Sequence, residues 1–209
     1  ENICILGDYD VDGACSTSLL VRYFNYINQK HFFYIPDRTE DGYGASKRLF
    51  QKLILKKPKL VIMVDCGSTS NKAIEYLNKH NIKSIIIDHH EINKPYPKSN
   101  VIINPKKASI KKENSLLCAT ALTYFFIETI IQKTNSNFKI SNFLIYVLLA
   151  TVCDVMPLRK INRIIAHNTI DNFNIKNYVA LNYIFEQYNL KKKLTIDDLG
   201  FLIGPIINA

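Results

Sequence analysis

No segment of this 209-residue chain is long and apolar enough to span a membrane as a helix. The longest nearly unbroken apolar run, residues 143–153, stops at Asp154, well short of the roughly 20 residues a bilayer requires. A basic segment followed by an apolar stretch and a small-residue cleavage site is also missing, so nothing marks the chain for export. A cytoplasmic location with no membrane partner is expected. Tryptophan is absent, and cysteine is limited to Cys4, Cys15, Cys66, Cys118 and Cys153. Their odd number, their apolar settings and the lack of any C-x-x-C argue against a disulfide framework and a zinc knuckle. Buried, reduced thiols are expected instead. Acidic residues are scarce, 18 against 27 Lys and Arg, for a net charge of +9. That surplus favours a polyanion such as nucleic acid over a basic partner. There is no internal repeat, and no low-complexity tract beyond a general excess of Asn, Ile and Lys. The chain opens at Glu1 without a methionine and ends at Ala209 without a stop signal, so it reads as a fragment.

What is present is a 47% hydrophobic composition, enough to bury a core and too much for disorder. Short apolar runs alternate with amphipathic stretches through the first half, the pattern of β-α-β units on a parallel sheet. Strands are expected at residues 3–6, 32–35, 60–64, 84–87 and 101–103, apolar on both faces as a sheet covered on both sides requires. Helices are expected at 14–27, 45–55 and 71–80. Beyond the lysine-rich stretch 106–112 only helical patterns remain, at 117–132, 142–150, 162–172, 178–188 and 196–203. The reading is an α/β fold with a parallel sheet of about five strands flanked by helices, followed by a helical part, with residues 91–114 as the soft boundary.

Three of the expected strands end in acidic or imidazole side chains. Gly7-Asp8-Tyr9-Asp10-Val11-Asp12-Gly13 follows the first, Asp65-Cys66-Gly67 the third, and Asp88-His89-His90 the fourth. In a parallel α/β sheet those carboxyl ends form one crevice. Asp8, Asp10 and Asp12 alternate, so in an extended segment their side chains point the same way, and Gly13 then permits a sharp turn into the next helix. One Asp at a strand-to-helix turn is an ordinary cap, and one His is usually satisfied locally. Five carboxylates and two imidazoles at one sheet edge repel unless a cation lies among them. Oxygen-rich ligands with imidazole and no thiolate cluster suit Mn²⁺ or Mg²⁺ better than structural zinc. Two ions about 3.5–4 Å apart can polarise a phosphoryl oxygen and activate water, which is the chemistry of phosphoester hydrolysis. A calcium loop is disfavoured, because Leu19 stands where the closing Glu would be needed.

Those three segments, in that order, resemble motifs I to III of the DHH phosphoesterase superfamily. Ala150-Thr151-Val152-Cys153-Asp154-Val155-Met156-Pro157-Leu158 resembles a fourth motif, in the form found in the RecJ branch of single-strand-specific 5′ to 3′ DNA exonucleases. Further RecJ-like pieces are Ile35-Pro36-Asp37-Arg38 with Gly42-Tyr43-Gly44, Asn104-Pro105, Asn162-Arg163 and the closing Gly204-Pro205-Ile206-Ile207-Asn208-Ala209. Other branches usually begin motif I with His, so Asp8 points to RecJ in particular.

The resemblance implies that Asp8 and Asp10 hold one Mn²⁺ while Asp12, His89 and Asp154 hold the other, with Asp65 bridging and Mg²⁺ as an alternative ion. It implies that His90 faces the scissile phosphate and Asp88 orients the neighbouring imidazole. Residues 1–105 would form the α/β metal-binding half and 106–209 the mainly helical remainder carrying the fourth motif. Ile206 departs from the family, which usually has Arg there, and the family's DHHA1 and OB-like modules are expected to be absent.

With Asp8, Asp10, Asp12, Asp65, Asp88 and Asp154 set aside for the site, the rest of the chain is still more basic, as a phosphate-binding surface requires. Arg38 and Tyr43 are expected to clamp a phosphate and stack a base, with Arg163 and Asn208 as further nucleic-acid contacts. A plainer alternative has Arg38 paired with Glu40 or Asp41. His31, His80 and His167 lie outside the motifs and are expected at the surface or in local packing. The leading reading is a Mn²⁺-dependent single-stranded DNA 5′ exonuclease core of the kind used in DNA repair and recombination. Its partners would be single-stranded DNA or an oligonucleotide, with a single-strand-binding protein or helicase nearby. A phosphodiesterase of short oligonucleotides or nucleotide signals, and a non-catalytic nucleic-acid-binding remnant, are the alternatives.

Overall fold

The computed structural model describes residues 1–42, 44–107, 116–188 and 193–208. Five parallel strands form one sheet: β1 (Ile3–Leu6), β2 (His31–Tyr34), β3 (Leu60–Val64), β4 (Lys83–Ile87) and β5 (Val101–Ile103), in the order β2-β1-β3-β4-β5. Between them run α1 (Val11–Tyr26), α2 (Lys47–Leu53) and α3 (Asn71–Lys79). After β5 the described chain is helical: α4 (Ala119–Thr134), α5 (Leu144–Cys153), α6 (Lys160–Asp171), α7 (Val179–Gln187), α8 (Ile196–Asp198), a π-helical turn at Leu199–Ile203 and α9 (Gly204–Asn208). Among the described residues no helix is long and apolar enough to cross a membrane.

The period of two along each strand sends alternate side chains to opposite faces, and two apolar layers result. Ile5, Ile62, Val64 and Ile87 face the larger one, built with α1 and α4 and extended by Leu148 of α5 and Ile203. Cys4, Leu6, Val61, Met63 and Ile86 face the smaller one, closed by Leu49 and Phe50 of α2 and Ile74 and Leu77 of α3. The edge strand β2 departs from the two-sided apolar expectation. Phe33 is 54% exposed, because an outermost strand has helix cover on less of its surface.

Chain direction and strand order position the site. From β1 the chain moves outward to β2, then returns across the sheet to β3, so the crevice between the carboxyl ends of β1 and β3 is the topological switch point. The loops after β1, β3 and β4 all open on that edge. Helix α1 begins at Val11, three residues before the expected start. Asp10 is its cap: the Gly13 N–H donates to Asp10 Oδ1 at 2.9 Å. Only Asp8 and Asp10 therefore precede the helix, and Asp12 lies in its first turn. Gly13 is also inside α1, so it makes no turn. Its bareness serves close approach, since a Cβ there would collide with the backbone of Asp8.

Candidate metal centre

Asp8, Asp12, Asp65, Asp88 and His89 are all buried at the carboxyl edge of the sheet, with Asp10, His90 and Asp154 half-buried beside them. One carboxylate each from Asp8, Asp10 and Asp65 converges within 4.8 Å, and so do ligand atoms of Asp12, His89 and Asp154. His89 links the two groups. Its Nε2 stands 3.2 Å from Asp65 Oδ1, 3.5 Å from Asp154 Oδ2 and 3.6 Å from Asp12 Oδ2. Asp65 and both imidazoles form a third such group.

Each acid is held by a different local device. Asp12 reaches the start of α4, where the Ala119 and Thr120 N–H groups donate to its two oxygens at 2.7 and 2.8 Å. Those are otherwise orphaned first-turn donors, and the positive end of a helix favours an anion there. Asp65 follows β3 with φ +60°, a left-handed conformation that Asp tolerates better than most residues. Asp154 caps the end of α5. Asp88 is the fastener of its loop: Oδ1 accepts from the backbone N–H of His89 and His90 at 2.8 and 3.1 Å and pairs with His90 Nδ1 at 2.8 Å. Its Oδ2 accepts from the Ser68 N–H at 2.9 Å.

The charges are set by burial and by one another. Burial, with Tyr9 opposing and Asp10 adding, pushes Asp8 up to about 6. Burial and the charges of Asp12 and Asp10 push Asp154 up to about 7 and raise Asp65 well above the usual carboxylate range. Burial works on Asp88 in the same sense, yet the hydrogen bonds from His90 and Ser68 outweigh it and hold that acid low. His90 is raised, chiefly by its bond to Asp88, whereas burial lowers His89.

Most telling is what these bonds leave over. Both oxygens of Asp65, Oδ1 of Asp8 and both ring nitrogens of His89 are buried with no hydrogen-bond partner. Asp10 is close enough to share a proton with Asp65, and a cation between them would take that proton's place. Buried acceptors without a partner cost on the order of 1–3 kcal/mol each, more when charged, and convergent acceptors are what a divalent cation satisfies. The donor set of carboxylate oxygens and imidazole fits a hard cation of the manganese or magnesium type. No cysteine joins these groups among the described residues, and burial pushes the nearby Cys153 thiol up to about 11 and those of Cys15, Cys66 and Cys118 higher still.

The other expected contacts belong to none of these ligand groups. Arg38 is exposed and stacks on Tyr9, its guanidinium carbon 4.5 Å from the ring centre. Asp41 is engaged elsewhere, by the Tyr34 hydroxyl at 2.5 Å and Lys52 Nζ at 2.9 Å. Tyr43 lies outside the described residues. Arg163 is exposed on α6. Asn208 accepts the N–H of Val11 through Oδ1 at 3.0 Å, which ties α9 to the start of α1. His31, His80 and His167 each make a local bond, to Gln29, Tyr76 and Asp171. Two features go beyond the sequence reading: the role of Asn104, named there only within the Asn104-Pro105 pair, and a cavity. Asn104, buried just past β5, donates to Ser68 Oγ at 2.7 Å and the His90 carbonyl at 2.9 Å, bracing two site loops against each other. Beside them opens a cavity of about 850 Å³, with Ser46, Ser68, Thr69, Asp88 and His90 on its wall.

Comparison with known proteins gives the same outline. A family model described as the DHH family, N-terminal domain, matches residues 2–151. The single-stranded-DNA-specific exonuclease RecJ of Haemophilus influenzae is 29% identical over 222 residues, covering 100% of this chain and 38% of the relative. That of Escherichia coli is 30% identical over 220 residues, covering 99% and 38%. The chain thus spans well under half the length of these curated relatives. The crystal structure of exonuclease RecJ bound to manganese superposes with a TM-score of 0.86 at 24% identity, over 99% of this chain and 52% of that one. RecJ of Thermus thermophilus in complex with Mn²⁺ gives 0.80 at 21% identity, over 98% and 29%. At such identity these likenesses speak for the fold.

Proposed function

Because the chain belongs to the DHH family, we propose that it is the hydrolytic part of a divalent-metal-dependent, single-strand-specific DNA exonuclease that works from the 5′ end. The observation that carries this reading is the convergence of ligand atoms from Asp8, Asp10 and Asp65 and from Asp12, His89 and Asp154 within 4.8 Å, with buried oxygens of Asp8 and Asp65 and the His89 ring left without a hydrogen bond. Asp8, Asp10 and Asp65 would hold one ion and Asp12, His89 and Asp154 the other, with Asp65 shared between two Mn²⁺ or Mg²⁺. Such a pair supplies polarisation of the phosphoryl oxygen and an activated nucleophile.

The protein's own groups do the rest. The α4 N-terminus fixes Asp12, so that ligand loses no conformational freedom when a cation arrives. Asp88 orients the His90 ring through Nδ1 and favours its protonated form, so His90 would bring positive charge to the scissile phosphate. Arg38, stacked on Tyr9, provides a guanidinium for the strand beside Asp8 and Asp10. Tyr43, Arg163 and Asn208 would add contacts, and Ile206 gives up one where the family usually has Arg. Residues 1–105 would carry three of the ligand loops and 106–209 the fourth. The setting would be the cytoplasm, during DNA repair and recombination, with a single-strand-binding protein or helicase presenting the strand.

The test is digestion of a 5′-phosphorylated strand labelled at either end, in Mn²⁺ and in EDTA. The 5′ label should leave first, as a mononucleotide, only with metal, and duplex ends should resist. Absence of any Mn²⁺-dependent release overturns the hydrolytic reading, first release of the 3′ label overturns the polarity, and equal cleavage of duplex overturns the strand preference.

A further inference from the structure

Away from the metal centre, a long cleft separates α1 and α5 from α7. Its outer part, about 1130 Å³, and its inner part, about 250 Å³, share Arg22, Phe143 and Tyr146 and so form one continuous groove. The inner end touches Ala14 and Cys15, within a turn of Asp12 on α1. Arg22 lies two turns further on, so the groove extends about 12 Å along the helix away from the site.

Phe143, Tyr146, Tyr178 and Tyr183 line the outer part of the groove with Arg22, its charged residue, and with Asn142 and Asn177, while aliphatic side chains such as Leu149 and Leu181 close the inner part. No carboxylate lines it among the described residues. The rings are braced from behind. Phe143 stacks on Phe138 at 5.5 Å and 12°, and Tyr178 on Phe173 at 5.5 Å and 6°. The Tyr178 hydroxyl is further tied to the Asn142 carbonyl at 3.1 Å. Arg22 sits over Phe143 at 5.4 Å, and Tyr183 stands 62% exposed at the outer wall.

Ordered aromatic faces with a guanidinium and no opposing acid are the means by which proteins hold unpaired bases. Amides add hydrogen bonds to base edges. We propose that this groove is a second binding track, which holds a stretch of single-stranded DNA by stacking while another part of the strand reaches the metal centre. The identity of the occupant rests on the single-strand reading above. The basic balance of the chain and the acid-free lining favour a polyanion there over an apolar partner segment.

The experiment is fluorescence anisotropy in EDTA, where no cleavage occurs, with labelled oligothymidylates of two and twelve nucleotides, on the wild type, Arg22→Gln and Tyr183→Ala. Arg22 and Tyr183 are exposed, and thermal melts verify that both variants fold. Each variant should bind the twelve-mer about tenfold more weakly, leave dinucleotide binding unchanged, and hydrolyse a dinucleotide in Mn²⁺ at the wild-type rate. Unchanged twelve-mer affinity in both variants overturns the track while leaving the hydrolytic reading intact. Normal wild-type binding without any hydrolysis does the reverse. A twelve-mer that the wild type fails to bind overturns the track as well. So does a change from dimer to monomer by sedimentation in either variant, which would make the groove a contact between copies.

Discussion

Asp12 and Thr120 are joined twice: the Thr120 N–H donates to Asp12 Oδ1 at 2.8 Å, and Thr120 Oγ1 donates to the Asp12 carbonyl at 3.0 Å. The acid that faces His89 is thus also the anchor of α4 on α1. Removal of its carboxylate strips the cation site of a ligand and leaves two buried N–H groups without an acceptor. In EDTA, Asp12→Ala should therefore lower stability by roughly 2–3 kcal/mol. Asp65→Asn, which deletes a buried repulsive charge, should be neutral or stabilising there. Urea denaturation of both variants separates the two roles, and equal destabilisation would show that Asp12 has no anchoring role.

The raised carboxylates set a pH dependence. In EDTA, Asp8 near 6 and Asp154 near 7 bind protons more tightly folded than unfolded. Their stabilising effect is complete below about pH 4 and is lost as pH rises through 6 and 7. His90 acts in the same sense and His89 against it. The melting temperature in EDTA should be lower at pH 8 than at pH 5, and Mn²⁺ should reverse that order. Asp154→Asn should flatten the slope. Chelated protein that melts higher at pH 8 than at pH 5 would contradict the cluster's electrostatics.

Asp88 holds its loop and the His90 ring without joining any of the three groups of convergent ligand atoms. Asp88→Asn should cut hydrolysis by about 10–100-fold and leave the number of bound Mn²⁺ unchanged. Loss of an ion in calorimetry would make it a ligand.

Gly13→Ala places a methyl group against the Asp8 backbone, which cannot swing aside as a side chain would. A loss of about 3 kcal/mol or more is expected, together with weaker Mn²⁺ binding as Asp8 shifts. A variant with wild-type melting would show that α1 and the Asp8 loop have room to separate.

Much of this was legible in order along the chain. Strands β1 and β3 stand out because burial on both faces leaves them apolar throughout, β4 because it closes on Ile85-Ile86-Ile87, and the acids stand where those strands stop. The start of α1 was misplaced because Asp10-Val11-Asp12 reads equally as loop or first turn, and only the Asp10–Gly13 bond decides it. The anchoring of α4 was invisible, since Asp12 and Ala119 are 107 residues apart. Arg38 was assigned to the strand without its support, because a stack on Tyr9 leaves no spacing pattern.

The central claim is that the convergent acids around His89 form a two-cation site. Calorimetric titration of the chelated protein with Mn²⁺ at neutral pH tests it most directly. Two ions per chain should bind to the wild type, and Asp65→Asn, folded by circular dichroism, should lose at least one of them. A wild type that takes up none, or an Asp65→Asn variant that binds two ions with unchanged affinity, would contradict it.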